Sequence, residues 1–144
     1  MASAITSHSE SAMRVIVCGG RDFSDHVALD RALDRFSKTH VVDAIIEGNA
    51  RGADSMAGFW ARKHGIPDLK YNANWARYGS AAGPIRNQEM IDDGRAQCVI
   101  AFPGGRGTAD MIAKAKAAGL PVWQPMNEDN PERELNLTLP PSLA

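Results

Sequence analysis

The sequence predicts an α/β fold: a single-domain, Rossmann-like protein with a mostly parallel five-stranded sheet and helices on both faces. First, short apolar runs rich in β-branched residues alternate along the chain with segments of helical periodicity. Second, glycine follows most of these segments, as is typical where a strand or helix ends. Third, the length of 144 residues fits one domain. Strands that alternate with helices are joined by right-handed crossovers, so the sheet is expected to be parallel.

The strands are predicted from apolar runs bounded by turn residues. We expect them at 15–18, 41–46, 69–73, 97–102 and 121–124. The run at 15–18 is the clearest, because it is wholly apolar and ends in a glycine pair. The run at 69–73 is weaker, and the segment 74–83 that follows it is predicted to be a loop.

The helices are predicted from cap residues and apolar faces. We expect Ser24 to cap the first helix and Thr108 to cap the fourth. The second helix is expected over about 54–64. The third is expected to begin at Pro84, because proline suits the first helical position. The expected stop signals are Gly65, Gly94 and Gly119.

Residues 13–125 are predicted to form the ligand-binding domain, between a flexible extension at 1–12 and a partly ordered tail at 126–144. The residues before Met13 lack the features of a signal peptide. We expect Met13 to be the natural start, because it directly precedes the first strand-like run. A net charge of −1 favours neither nucleic acid nor an anionic membrane. Two cysteines within apolar runs predict buried, reduced thiols and a cytoplasmic protein.

Several common kinds of site are missing from the sequence. It has no G-x-x-x-x-G-K-[ST] loop and no G-x-G-x-x-G after the first strand, which argues against a P-loop NTPase and a standard NAD site. Its four histidines do not have the spacing of metal ligands. We therefore expect neither a metal nor a cofactor, and no run approaches the roughly 20 apolar residues of a membrane span.

Four glycine-rich loops, at 18–22, 47–54, 83–87 and 103–108, are expected to meet at the carboxyl edge of the sheet. Each contains one arginine, and guanidinium groups match the geometry of phosphate. Glycines let backbone N–H groups approach an anion, and a helix beginning at 108 adds unpaired N–H groups. The alternative is that the glycines serve the turns alone and the arginines are solvated. The candidate ligand-binding residues are Gly19, Gly20, Arg21, Asp22, Gly48, Arg51, Asp54, Arg86, Asn87, Pro103, Gly104, Gly105, Arg106, Gly107 and Thr108.

Acidic and aromatic residues near the same edge are further candidates. Glu47 ends the second strand, where an acid can bind ribose hydroxyls; alternatively it pairs with Arg51 or with a backbone turn. Asp54 is expected to cap its helix rather than contact a ligand, and Asp22 is expected to orient Arg21. In the loop at 74–83, Trp75 and Tyr78 either cover a base by stacking or pack within the loop.

The motif Pro-Gly-Gly-Arg-Gly-Thr at 103–108 resembles the SLOG superfamily, a Rossmann-like group that includes the LOG proteins and DprA. Val-Cys-Gly-Gly-Arg-Asp-Phe at 17–23, Gly-Asn-Ala-Arg-Gly-Ala-Asp at 48–54 and Gly-Pro-Ile-Arg-Asn at 83–87 look like its YspA-type branch, also called DUF2493. The similarity spans about 14–124. It implies a site for a nucleotide or nucleotide derivative at the carboxyl edge.

In LOG enzymes the motif P-G-G-x-G-T-x-x-E holds a phosphate and supplies a catalytic glutamate for cleaving the N-glycosidic bond of a nucleotide. Here the glutamate position is Met111, and the adjacent Asp110 is turned by about 100° on a helix. Arg86 corresponds to the upstream arginine of that family. The resemblance therefore implies phosphate binding, whereas hydrolysis of the LOG type lacks its glutamate.

Three functions follow as hypotheses. The first is a domain that senses or sequesters a phosphorylated nucleotide derivative. The second is a hydrolase for the N-glycosidic bond, with Glu47 or Asp110 as the catalytic group. The third is DprA-like binding of single-stranded nucleic acid, which the net charge of −1 disfavours. The predicted partner is thus a small nucleotide-like molecule, and a homo-oligomer is possible in this fold class.

Overall fold

The computed structural model describes residues 12–127, in which one parallel sheet carries helices on both faces. The strands are β1 Ala12–Cys18, β2 Val41–Glu47, β3 Asp68–Lys70, β4 Cys98–Ala101 and β5 Val122–Trp123. The helices are α1 His26–Thr39, α2 Ala53–Lys63, α3 Trp75–Tyr78, α4 Ala82–Asp92 and α5 Arg106–Ala117. A 3₁₀ turn, Gly79–Ala81, joins α3 to α4.

The strand order is β3-β2-β1-β4-β5, and every pairing is parallel. The predicted α/β class is confirmed, and the sheet is wholly rather than mostly parallel. The chain leaves β1 toward β2 on one side and returns to β4 on the other, so the strand order reverses between β1 and β4. The loops after these two strands therefore diverge and leave a crevice at their carboxyl ends.

Two apolar layers fix the helices on the sheet. On one face, Leu33 and Phe36 of α1 and Trp60 of α2 pack against β-strand residues, among them Val15 and Ile45. On the other face, helices α4 and α5 contribute the buried side chains Met90, Ile91, Met111 and Ala115. Burial of this apolar surface is the main stabilising term for the domain.

Both cysteines are free and buried, as predicted. Burial raises the pKa of the Cys98 thiol to about 12, and it also raises the pKa of Cys18. Neither thiol is therefore a reactive thiolate at neutral pH.

Three predicted helix starts are wrong. Asp25, not Ser24, caps α1, because its Oδ1 accepts the Ala28 N–H at 3.0 Å. Gly105 precedes α5, so Thr108 lies buried inside the first helical turn instead of capping it. Helix α4 begins at Ala82, continuing from the 3₁₀ turn, so Pro84 is not its first residue. Proline is still tolerated there, because the first N–H groups of a helix have no partner within the helix.

The segment predicted as a loop at 74–83 instead holds α3, the 3₁₀ turn and the start of α4. Asn74 caps α3 by accepting the Arg77 N–H at 3.1 Å. The predicted terminal segments lie outside the described residues, except that Ala12 belongs to β1 and residues 126–127 follow β5. Within residues 12–127 no helix has the length and apolar character needed to cross a membrane.

Candidate functional site

The predicted meeting of the loops is visible in their backbone hydrogen bonds. The Gly20 N–H donates to the Pro103 carbonyl at 2.8 Å, which joins the loops after β1 and β4. The Gly20 carbonyl accepts the Ala53 N–H at 3.3 Å, which joins the loop after β1 to the start of α2. The carboxyl edge is therefore a single connected surface built from segments distant in sequence.

Glycine is required where these loops touch. Gly52 has φ +83°, and a Cβ there would lie 2.3 Å from the Gly20 carbonyl oxygen. A Cβ on Gly19 would lie 2.6 Å from the Ala53 Cβ. At Gly104 a Cβ would lie 2.7 Å from the backbone nitrogen of Gly20 and still closer to Thr108 Oγ1. These glycines thus serve loop packing, which was the alternative reading of the glycine pattern, while they also shape the site.

The loops enclose a cavity of about 460 Å³, a volume in the usual range for small-molecule sites. It opens at the switch point between β1 and β4. Its walls come from the ends of β1 and β2, from α3, and from the first turns of α4 and α5. The lining residues are Cys18, Gly19, Gly20, Arg21, Gly48, Ala50, Asp54, Trp75, Ser80, Gly83, Pro84, Arg86, Asn87, Met90, Gly105, Arg106, Gly107, Thr108 and Asp110.

The first turn of α5 forms one end of the cavity. Gly105, Arg106, Gly107 and Thr108 all line it, and the first hydrogen bond of the helix runs from the Ala109 N–H to the Gly105 carbonyl at 3.0 Å. The N–H groups of the preceding residues have no partner within the helix, and the helix dipole places partial positive charge there. This end of the cavity is therefore suited to an anion.

Arg86 lines the cavity but is held mainly by protein groups. Its Nη1 donates to the Gly48 carbonyl at 2.7 Å, and its Nε donates to Asn87 Oδ1 at 3.1 Å. Its Nη2 makes no hydrogen bond within residues 12–127. Arg86 thus fixes the turn after β2 to α4 and has one amino group left for a ligand.

Asn87 links α4 to the first turns of α5. It is 4% exposed, and its Nδ2 donates to the Gly107 carbonyl at 3.1 Å and to Asp110 Oδ2 at 3.0 Å. Asp110 also accepts a hydrogen bond from Lys114 at 2.6 Å. Partial burial favours the neutral carboxyl, but the bonds from Lys114 and Asn87 outweigh burial and hold the pKa of Asp110 below its ordinary value. Asp110 therefore lies in the cavity as an ionised group whose two oxygens are both engaged.

Trp75 and Arg21 lie together in the cavity wall. The guanidinium carbon of Arg21 is 5.5 Å from the centre of the Trp75 ring, within the range of a cation–π contact. Trp75 is 48% exposed, so the indole is available to a ligand. Tyr78 does not line the cavity; its ring faces the guanidinium of Arg77 at 5.1 Å.

Arg106 lines the cavity at the start of α5 with an exposed side chain. Arg51 lies outside it, in an adjoining shallow groove that also contains Asn49 and Asn72. Its guanidinium is 3.5 Å from Asp22, so Asp22 pairs with Arg51 and not with Arg21 as predicted. Both partners of this ion pair are largely exposed, and such pairs contribute little to stability.

Asp54 faces the cavity and does not cap α2. Gly52 is the residue before the helix, and Asp54 Oδ2 accepts the Ala50 N–H of the preceding turn at 3.3 Å. Burial raises the pKa of Asp54 to about 6, although the Ala50 N–H and the Arg86 guanidinium both act to lower it. The predicted capping role is wrong, and the side chain belongs to the site.

Glu47 does not line the cavity. It is fully buried, its Oε1 accepts the Asn49 N–H at 2.6 Å, and its Oε2 accepts Lys70 Nζ at 2.8 Å. Burial and the neighbouring Asp68 raise the pKa of Glu47 to about 7, against the opposing effect of Lys70. The structure therefore gives no support to Glu47 as a ribose ligand or catalyst. Of the expected alternatives, pairing with a backbone turn is found, whereas the paired cation is Lys70 and not Arg51.

The remaining predicted residues lie together outside the cavity. Pro103, Gly104 and Asp22 line a second groove on the far side of the Gly20 contact. Sequence reasoning did not select Cys18, Ala50, Ser80, Gly83, Pro84 or Met90 as site residues, yet all of them line the cavity. The loop predicted at 74–83 gave no position for Ser80, which lies in the 3₁₀ turn that joins α3 to α4. Within residues 12–127 no cluster of side chains has the composition of a metal site.

Known proteins are similar to this chain in sequence or in fold. The family model of the YspA, cpYpsA-related SLOG family matches residues 13–78. The Gene 61 protein of Mycobacterium phage D29 is 36% identical over 118 residues, and the alignment covers 76% of this chain and 93% of the phage protein.

Two solved structures have similar folds. TM1055, a structural-genomics target, superposes with a TM-score of 0.55 and 18% identity, covering 76% of this chain and 72% of its own. DNA processing protein A (DprA) from Streptococcus pneumoniae superposes with a TM-score of 0.62 and 17% identity over 89% of this chain. The match covers 56% of DprA, so the chain corresponds to little more than half of that protein. At these identities the similarity shows the α/β fold alone.

Proposed function

Since this chain belongs to the YspA, cpYpsA-related SLOG family, we propose that it binds a phosphorylated nucleotide or nucleotide derivative in the cavity at the switch point. In this proposal the domain is a sensor or a sequestering protein. The phosphate would lie on the first turn of α5, and the rest of the ligand would extend toward the ends of β1 and β2.

The observation that carries the proposal is the common cavity shared by a helix N-terminus and three guanidinium groups. The first turn of α5 lines it together with Arg21, Arg86 and Arg106. Unpaired N–H groups bind an anion through hydrogen bonds and through the helix dipole. Guanidinium groups add charge-assisted bonds that remain at any physiological pH. This combination favours a phosphoryl group over a neutral ligand.

Other residues that line the cavity are suited to a nucleoside. The half-exposed Trp75 indole offers a flat surface, and base–aromatic stacking contributes about 1–3 kcal/mol. Cys18, Met90 and Pro84 also line the cavity and make part of its wall apolar. A molecule with a phosphate at one end and a planar base at the other matches both halves of this surface.

Isothermal titration calorimetry with 5′-ribonucleoside mono- and diphosphates tests the proposal. Wild-type protein is expected to bind at least one of them. Arg106→Ala is expected to weaken that binding about tenfold to hundredfold, because hydrogen bonds to charged groups are worth about 1.5–3 kcal/mol. Arg31→Ala is the matched control, since Arg31 is exposed on α1 and outside the cavity. No binding by wild-type protein, or equal affinity in both variants, would contradict the assignment.

A second candidate is hydrolysis of a nucleotide N-glycosidic bond. It is favoured by one observation: two carboxylates, Asp54 and Asp110, line the cavity that would hold the nucleotide. Against it, the position of the LOG glutamate is Met111, which is buried in the core, and both oxygens of Asp110 are already bonded. Chromatography of nucleotide incubations measures any free base. Release of base that Asp110→Asn abolishes without loss of binding would support hydrolysis, and intact nucleotide throughout would exclude it.

A further inference from the structure

Asp54 is a buried carboxylate that faces the cavity without a cationic partner of its own. It is 7% exposed, and no lysine or arginine among residues 12–127 forms a salt bridge with it. Buried carboxylates are usually paired, because removing an ionised group from water is costly. The unpaired state of Asp54 in the free protein therefore calls for a physical explanation.

The neighbouring Arg86 donates its hydrogen bonds to groups other than Asp54. A Cβ built on Gly48 would lie 2.9 Å from Asp54 Oδ2 and 2.6 Å from Arg86 Nη1, so both groups lie against this glycine. Nη1 nevertheless donates to the Gly48 carbonyl at 2.7 Å. Asp54 Oδ2 accepts the Ala50 N–H at 3.3 Å, and the Gly48 backbone also acts to lower the pKa of this carboxyl. Burial outweighs these contacts and the attraction of the Arg86 and Arg21 guanidinium groups, and it raises the pKa of Asp54 to about 6.

Asp54 lies across the cavity from the proposed phosphate position. Its Oδ2 lies against Gly48 at the end of β2, whereas the first turn of α5 follows β4, and β1 lies between these strands. Two strand spacings correspond to about 10 Å, a distance on the scale of one nucleotide. A ligand with its phosphate on α5 would therefore place its sugar or base near Asp54.

The charges around Asp54 restrict what it can bind. A second phosphate would be repelled by the carboxylate. A metal ion is disfavoured because Arg21 and Arg86 line the same cavity. The group that Asp54 can bind is therefore a neutral O–H or N–H donor, since it forms a hydrogen bond to the carboxylate without adding charge.

On the premise of the proposed function, we infer that Asp54 is the specificity-determining residue of the cavity. It selects ligands whose end remote from the phosphate presents neutral hydrogen-bond donors. Ribose hydroxyls and the N–H groups of a base edge both supply this chemistry. In the complex these donors satisfy the carboxylate that burial leaves uncompensated in the free protein.

The experiment compares wild type, Asp54→Asn and the control Asp43→Asn by calorimetry, using the four 5′-ribonucleoside monophosphates. Asparagine keeps an oxygen for the Ala50 N–H, so the turn is expected to be retained, but it turns an NH₂ group toward the donors of the ligand. Asp54→Asn is expected to weaken binding about tenfold to hundredfold. Asp43 is exposed on β2 and outside the cavity, so its variant is expected to match wild type.

Two further probes separate this role from a structural one and identify the donor. Inorganic phosphate is expected to bind Asp54→Asn at least as well as wild type, because a repulsive carboxylate is gone; a merely structural role predicts weaker binding. If Asp54 recognises the sugar, wild type is expected to bind 2′- or 3′-deoxy nucleotides more weakly than ribonucleotides. For these deoxy nucleotides the affinity lost through Asp54→Asn is then smaller, because the sugar donor is already absent. For ribose 5-phosphate, which has the sugar but no base, Asp54→Asn is expected to cause the full loss of affinity. If Asp54 recognises the base instead, Asp54→Asn is expected to weaken the binding of deoxy nucleotides as much as that of ribonucleotides. The variant is then expected to bind ribose 5-phosphate, which has no base, as well as wild type does.

Equal affinity of wild type and Asp54→Asn for every probe that binds would overturn the inference while leaving the proposed function intact. Weaker binding of inorganic phosphate by Asp54→Asn would also overturn it. Failure of wild type to bind any nucleotide would instead refute the proposed function itself, and the inference with it.

Discussion

Asn87→Ala is expected to destabilise the domain and weaken ligand binding together, because this one side chain joins α4 to the first turns of α5. It accepts the Arg86 Nε–H at 3.1 Å and donates to the Gly107 carbonyl and to Asp110 Oδ2. A bond to a neutral group contributes about 0.5–1.5 kcal/mol, and a bond to a charged group about 1.5–3 kcal/mol. Since Asn87 is 4% exposed, water replaces these bonds poorly. Allowing for non-additivity, we expect a loss of about 2–4 kcal/mol.

Urea unfolding measures this loss, provided that the dependence on denaturant is unchanged between proteins. Gln88→Ala is the matched control, because Gln88 is exposed on the same helix and its side chain donates to Asp92 at 3.1 Å. The control is expected to lie within about 0.5 kcal/mol of wild type. A loss below about 1 kcal/mol for Asn87→Ala, equal to that of the control, would refute the claim that Asn87 holds the two helices in register.

Three other predictions concern stability and binding. The pKa of Asp54 is raised from 3.8 to about 6 on folding, so the folded state binds this proton more tightly and wild-type stability falls as pH rises from about 4 to 6. The free energy of unfolding of Asp54→Asn is therefore expected to rise relative to that of wild type across that window, by about 1–3 kcal/mol at pH 8 in urea titrations. The same pH dependence of unfolding free energy in both proteins would contradict this. Trp75→Ala is expected to weaken nucleotide binding about fivefold to hundredfold in calorimetry, whereas Tyr78→Ala, outside the cavity, is expected to leave it unchanged. Gly52→Ala is expected to lower the thermal midpoint by several degrees, because φ is +83° and the new Cβ meets the Gly20 carbonyl; an unchanged midpoint would contradict it.

The fold was predictable because the apolar runs that indicate strands and the glycines that indicate helix ends support the same order of elements. The buried strand ending at Cys18 is a continuous apolar run, and the glycines at 65 and 119 adopt positive φ at the ends of α2 and α5. Helix starts were less predictable, since several side chains near a helix compete for the cap. The cap of α1 is Asp25 and not Ser24, and Gly105 precedes α5 without a side-chain cap.

The candidate site was predictable in outline but not in the roles of its acids. Strand-to-helix loops of a parallel sheet must emerge at one edge, so Arg21, Arg86 and Arg106 meet for topological reasons. Whether a carboxylate near that edge faces the cavity or the core depends on the direction of a single side chain. The buried Glu47 side chain bonds to Lys70 and does not line the cavity, while Asp54 lines it. Such directions are set by tertiary packing, which the spacing of residues does not encode.

The measurement closest to the central claim is a titration of ¹⁵N-labelled protein with 5′-ribonucleoside monophosphates, followed through the backbone amide signals. If the phosphate lies on the first turn of α5, the amides of Arg106, Gly107 and Thr108 are expected to show the largest saturable shifts. Trp75 Nε1–H is expected to shift with the same dissociation constant. Saturable shifts confined to surfaces away from the cavity, or no shift with any of the four nucleotides, would contradict the account.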